Sequence, residues 1–314
     1  MSKRSPRKNP LPQAHGWFGG GASGATDFDV VDRITLANDT VNAIDRCDLT
    51  VARRDLAGFA NSVYGWFGGG KPNVGIYDII DRIAFADDAV NAIDRCNLSA
   101  ERYGLAAFTD NTYGWFAGGN TSWDLNTPTS LVDRITLATD TVNAASRCSL
   151  TVARLNLAAF TNAVYGWFGG GWLGWIPSYK NEIDRITLAT DTTNAIDRCN
   201  LTAGRRDLAA FADDAFGWFG GGYTGSYVNA IDRIAFMTDT VNAIDRCDLF
   251  ASRWGLTALT DNTYGWFGGG YTGSISSMVD RITIATDTVN AIDRCDLTVA
   301  RRTLAGFKGS GYYT

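Results

Sequence analysis

Aspartate-arginine dipeptides carry most of the potential chemistry in this sequence. Asp-Arg-Ile occurs six times, from Asp32-Arg33-Ile34 to Asp280-Arg281-Ile282, and Asp-Arg-Cys five times, with Ser146-Arg147-Cys148 standing in the sixth place. A carboxylate beside a guanidinium suits acid-base work. Active sites are seldom copied six-fold, however, and adjacent residues of a strand point to opposite faces. Each Asp and Arg must therefore reach different neighbours, and the pairs read as a structural ion-pair lattice between strands and blades. Gly68-Gly69-Gly70-Lys71 invites comparison with a phosphate loop, but it lacks the GxxxxGK[ST] spacing, and Pro72 leaves no helix N-terminus to receive a phosphate. His15 is the only histidine and Glu101 and Glu182 are the only glutamates. Histidine triads and histidine-rich metal centres are thereby excluded, and the expectation is a non-enzyme without metal or cofactor.

The elements that position these residues come from a repeat. Trp17, Trp66, Trp115, Trp167, Trp218 and Trp266 each sit in a variant of Tyr-Gly-Trp-Phe-Gly-Gly-Gly, at spacings of 49, 49, 52, 51 and 48 residues. Within one unit, LAAFADDA, FGWFGGG, AIDRIAFMTDT and VNAIDRCDLFASR are four short apolar stretches separated by turn formers. No helical period is sustained, so each unit reads as a four-stranded antiparallel meander. A period near 50 with four strands per unit predicts an all-β, six-bladed β-propeller. Trp and Phe, adjacent in the second strand, then face opposite neighbouring blades, and the glycines after them launch a loop.

This geometry decides the cysteines. Cys47, Cys96, Cys148, Cys199, Cys247 and Cys295 recur once per unit in the outermost strand. With strands about 4.8 Å apart, equivalents in a six-fold ring lie roughly 20 Å apart, beyond the ~7 Å between Cα atoms that a disulfide tolerates. The thiols are expected free, packed as small apolar groups, which fits a reducing compartment.

The first unit lacks an inner strand and the last residues supply one. The propeller is therefore expected to span residues 16–314, with repeats starting near 16, 65, 114, 166, 217 and 265, and with the segment 303–314 pairing beside the first repeat to close the ring. Residues 1–15 read as a basic, flexible tail. Its Lys3, Arg4, Arg7 and Lys8 leave the rest of the chain at −9 against an overall −5. An acidic body argues against nucleic acid. No apolar run reaches 18 residues, which argues against a membrane span, and no apolar stretch follows the basic tail, which argues against a secretory signal.

The glycine run ending the second strand, the polar third strand, and an Arg opening each next inner strand (Arg54, Arg102, Arg154, Arg206, Arg253, Arg302) resemble the kelch family. The separated Tyr and Trp of kelch blades are missing here, the aromatics having moved into the glycine motif. With no histidine to spare, the copper chemistry of kelch-like oxidases does not carry over. The combination of DRIxxxxDTxNAxxR with aromatic-GGG also resembles propeller-repeat proteins of marine phages and large viruses. That resemblance implies a virion structural or attachment component, made in the host cytoplasm and meeting other virion proteins or a surface glycan, with the basic tail for docking.

Comparison among the six copies locates what differs. The segments between the glycine run and Asp-Arg-Ile range from 9 residues (YTGSYVNAI) to 13 (NTSWDLNTPTSLV). All six must leave the same face of the ring. They carry the candidate binding residues Tyr77, Trp123, Trp172, Trp175, Tyr179, Tyr223, Tyr227 and Tyr271. Rigid aromatic loops suit sugar stacking or a protein hot spot, and rings folded back over the blades would instead only cap them. The alternative function is a soluble lectin or cytoplasmic protein-interaction scaffold.

Overall fold

The computed structural model describes residues 13–123, 127–174 and 178–311. Six four-stranded antiparallel sheets make a six-bladed propeller. Blade 2 is typical: an inner strand Ala57–Ala60, a second strand Tyr64–Gly68, a third strand Ile79–Ala84 and an outer strand Ile93–Asn97. A one-turn 3-10 helix, Phe85–Asp87, leads from third to outer strand, and every blade repeats it. The six inner strands line the axis and neighbour one another around it.

Blade 1 is assembled from both ends of the chain. Ala305–Gly311 pairs antiparallel with Gln13–Gly19, from Gln13 opposite Gly311 to Gly19 opposite Ala305. The expected closure is present, with two shifts of boundary. The closing strand begins at Ala305, because Thr303 is held in a left-handed turn. At the other end, the segment expected to be a tail is already strand from Gln13, and His15 is buried against Trp17 with its ring nitrogen 3.3 Å from the Ile34 carbonyl oxygen. Pairing extends there because neither strand has a hairpin turn to make. Lys3, Arg4, Arg7 and Lys8 lie outside the described residues.

The core is a set of slabs between blades. Trp17, Val31, Cys47 and Phe307 of blade 1 meet Phe67, Ile83 and Phe85 of blade 2, and the other junctions follow the same plan. As expected, Trp66 faces blade 3 while its neighbour Phe67 faces blade 1. Each slab is closed by the first glycine of the motif: a Cβ on Gly65 would fall within the Phe307 ring, so the bulky and the smallest residues are partners across the junction. All six cysteines are free and buried. Burial is the leading cause that pushes the Cys47, Cys96, Cys199, Cys247 and Cys295 thiols up to about 12, and Cys148 to about 11.

Candidate functional site

The Asp-Arg pairs resolve into two lattices. In the first, the arginine of Asp-Arg-Ile and the arginine of Asp-Arg-Cys converge on one aspartate in the turn of the next blade. Arg82 and Arg95 hold Asp140 at 3.0 and 2.7 Å, and the ring closes where Arg281 and Arg294 hold Asp39. Trp66 adds an indole N–H to Asp140 at 3.0 Å. In the second, a fully buried arginine leads into each inner strand and pairs with the Asp of Asp-Arg-Ile at 2.8 to 3.1 Å: Arg53 with Asp81, Arg102 with Asp133, Arg154 with Asp184, Arg205 with Asp232, Arg253 with Asp280 and Arg301 with Asp32. Each of these arginines also donates to a phenylalanine carbonyl of the second strand. The charge of both lattices is consumed in holding strands and blades together, and the Asp of Asp-Arg-Cys, as at Asp45 and Asp94, stays exposed outside them.

The second lattice corrects the alignment of the repeats. In blades 1, 2 and 5 the buried arginine is Arg301, Arg53 and Arg205, not the Arg302, Arg54 and Arg206 expected from sequence. Arginine doublets at 53–54, 205–206 and 301–302 hide the register by one residue. The second member of each doublet is free for another position, on the face where the variable loops emerge.

That face is organised around the axis. Each inner strand starts beside the end of its second strand, as Ala57 does opposite Gly68, so the segments entering inner strands share the face of the variable loops. Just before each inner strand stands a residue with φ between 54° and 68°: Asp55, Gly104, Asn156, Asp207, Gly255 and Thr303. The backbone N–H of each donates to the carbonyl of its counterpart in the preceding blade, at 2.6 to 2.9 Å, making a closed circle of six hydrogen bonds. The inner strands below enclose an axial cavity of about 150 Å³ whose lining includes this circle. The left-handed conformation turns each amide toward the preceding blade, and Gly and Asn tolerate it best.

Around the circle lie the unrepeated side chains. The next position outward is Arg54, Tyr103, Leu155, Arg206, Trp254 and Arg302, each bridged through its backbone to Lys71, Asn120, Trp172, Tyr223, Tyr271 and Ala22 respectively. Arg54 pairs with Asp27 at 2.6 Å, Lys71 with Asp55 at 3.6 Å, and Arg206 with Asp207 at 2.5 Å. Lys71 also lies over the Tyr103 ring at 3.5 Å. Arg206 is boxed by Trp172, Tyr223 and Trp254 at 5.1, 5.1 and 5.8 Å. Asp207 is 8% exposed, and burial, helped by repulsion from Asp55, pushes its carboxyl up to about 6 against the pull of Arg206 and Arg302.

The candidate aromatics largely find each other. Tyr179, Tyr223, Tyr227 and Tyr271 form a chain of ring contacts at 5.6 to 6.1 Å that crosses blades 4 to 6 and ends on Trp254. Trp172 is buried, at 8% exposure, beside Tyr103 and Leu155. Tyr77 is half-buried, apart from this belt. Trp123 and Tyr227, at 44% and 38%, are the ones that most face solvent. Trp175 lies outside the described residues. Trp254, Lys71 and the three second arginines belong to the face and were not among the expected residues; the arginine doublets, present in only three of six repeats, are the trace they leave in sequence.

The architecture thus defines a six-bladed β-propeller with a scaffold of repeated residues and one face of unrepeated ones. No protein-family model and no curated protein matches the chain.

Proposed function

We propose that this propeller is a non-enzymatic binding component that presents the axial mouth of its loop face to a partner, a surface glycan or another protein. We further propose, from the resemblance of its repeats, that it serves as a structural or attachment component of a virus or phage particle. The observation that carries the binding role is the contrast between the two sets of residues. The repeated arginines and the aspartates they hold are spent inside the lattices, whereas aromatics and cations that differ from blade to blade gather on one face. Rigid, partly exposed rings are what a sugar or a protein hot spot uses. The chain's ends support an outward-facing arrangement, since Gln13 and Gly311 pair at the opposite face from the loops. Docking through residues 1–12 would leave the aromatic face turned away from whatever holds the tail.

Two measurements test this. Tryptophan fluorescence titrated against a broad panel of glycans should respond to some members, and Trp123→Ala or Tyr227→Ala should weaken that response; silence across the panel, together with no protein retained on the immobilised propeller, sinks the binding role. Particles isolated from the native source should retain the full chain and lose a form lacking residues 1–12. Equal retention of both forms removes the docking role of the tail.

A further inference from the structure

Of the four cations at the axial mouth, Arg54, Lys71 and Arg206 each have a carboxylate partner. Arg302, among the described residues, has none within ion-pair distance and no side-chain hydrogen bond. Its guanidinium is half-buried and lies over the rings of Trp254 and Tyr271 at 4.5 and 5.5 Å. Cation–π contact offsets part of the cost of desolvating it but engages no N–H donor. The fork is therefore oriented and open, the arrangement that binds a carboxylate or sulfate with two parallel hydrogen bonds.

The surroundings favour an anion. Arg54, Lys71, Arg206 and Arg302 outnumber Asp27, Asp55 and Asp207 by one charge, in a chain whose net charge is −5, so the mouth is locally positive in a negative protein. Arg302 is bridged to Ala22, the only small side chain at a position where the other blades carry Lys71, Asn120, Trp172, Tyr223 and Tyr271. Ala22 is itself buried, and two residues on Gly24 is exposed at the hairpin tip, where a Cβ would meet nothing within 4 Å. At the circle, the half-buried Asn156 amide and the Asp55 carboxylate, 3.6 Å from Lys71, offer further polar groups. Apolar ring faces, scattered hydroxyl-binding groups and one unspent guanidinium together suit a sugar that carries an acid.

Building on the binding role proposed above, we infer that the loop face takes an acidic carbohydrate, its ring against Trp254 and Tyr271 and its carboxylate or sulfate on Arg302. Arg206, 5.8 Å from the Trp254 ring and already paired with Asp207, sets the second edge of the shelf.

Calorimetric titration of the full chain with sialyllactose, sulfated lactose, oligogalacturonate and neutral lactose tests this, and the carboxylated and sulfated probes separate the two acids. The expected result is binding of at least one acidic probe at least ten-fold tighter than lactose, weakened by added salt. Arg302→Gln should cost that probe ten-fold or more, with Arg302→Lys intermediate, while Met237→Ala, exposed on the opposite face, leaves it unchanged. The melting temperature of Arg302→Gln should match that of the native chain, because Arg301 still fills the buried slot. Equal binding of lactose, or unchanged affinity in Arg302→Gln with loss in Trp123→Ala, overturns the acidic-sugar assignment and leaves the broader binding role standing. Failure of every sugar alongside Arg302-dependent binding of a poly-glutamate peptide overturns it in favour of an acidic protein partner. No binding by any probe overturns it outright.

Discussion

The amide of Asp55 donates to the carbonyl of Thr303 at 2.8 Å and so completes a circle of backbone hydrogen bonds that no single blade could make. Thr303 closes that circle with φ at 54°, a conformation that a β-branched residue occupies at a cost of roughly 1–2 kcal/mol. Asn156 holds the same place in blade 4 with φ at 55°. Thr303→Asn is therefore expected to raise stability by about 1 kcal/mol, read as a higher denaturant midpoint at constant slope. A fall would mean that the Thr303 methyl, which lies against Gly255, contributes more than the strain it brings.

Asp140 and Asp207 should respond to pH in opposite directions. Burial pushes the Asp140 carboxyl up, but hydrogen bonds from Arg95 and Trp66 and the charge of Arg82 outweigh it and hold the group below the ordinary carboxylate value. Its contribution is complete above the unfolded-state value near 4 and is lost as pH falls through the lower folded value. Asp140→Ala should cost about 3 kcal/mol at neutral pH and far less in strong acid, whereas Asp87→Ala, exposed and without an ion-pair partner among the described residues, should cost under about 0.5 kcal/mol. Equal losses for the two variants in urea titrations would deny the lattice its structural role.

Asp207, raised to about 6, is more favourable protonated in the folded state than in the unfolded one. That benefit is full below the unfolded value near 4 and disappears as pH rises through about 6. Asp207→Asn should leave stability unchanged near pH 4 and increase it by about 2 kcal/mol at pH 8. A variant less stable than the native chain at pH 8 would show that the Arg206 pair outweighs desolvation.

Gly65 and Gly68 test the junction between blades. Gly65→Ala drives a methyl into Phe307, with the Ile83 side chain also within 3.2 Å, and is expected to destabilise by about 2–3 kcal/mol. Gly68→Ala meets Phe116 in the same way, yet blade 3 carries Ala117 at that position, packed with Phe168. Its cost should be the smaller of the two. Matching melting temperatures for the two variants would contradict this reading of the packing.

The six thiols should be inert in the folded protein. Buried and shifted to about 11 or 12, they present almost no thiolate at pH 8. A thiol reagent is expected to label all six in denaturant and none promptly in its absence. Prompt labelling of the native chain would show that the slabs open.

Much of the fold was legible because it is written six times: strand order, ring closure, free cysteines and the Trp-Phe alternation all follow from one unit and its phase. The face was less so. Trp172 and Tyr179 looked equivalent to Trp123 as loop aromatics, but contacts with Leu155 in the same blade and Arg206 in the next bury Trp172 and half-bury Tyr179 while sparing Trp123, and such contacts have no period in sequence. The circle at the axis was missed for a related reason. Asp, Gly, Asn and Thr share little except the ability to be placed at positive φ, and a doublet of arginines beside three of them blurred the alignment by the one residue that mattered.

The seam in blade 1 has a mechanical side. Because Gln13 lies opposite Gly311 in an antiparallel pair, tension applied between the two ends acts on the last rung first and peels the seam rung by rung, never loading all seven pairs together. A ring held together by buried lattices is thus, under a pull on its ends, only as strong as a single rung.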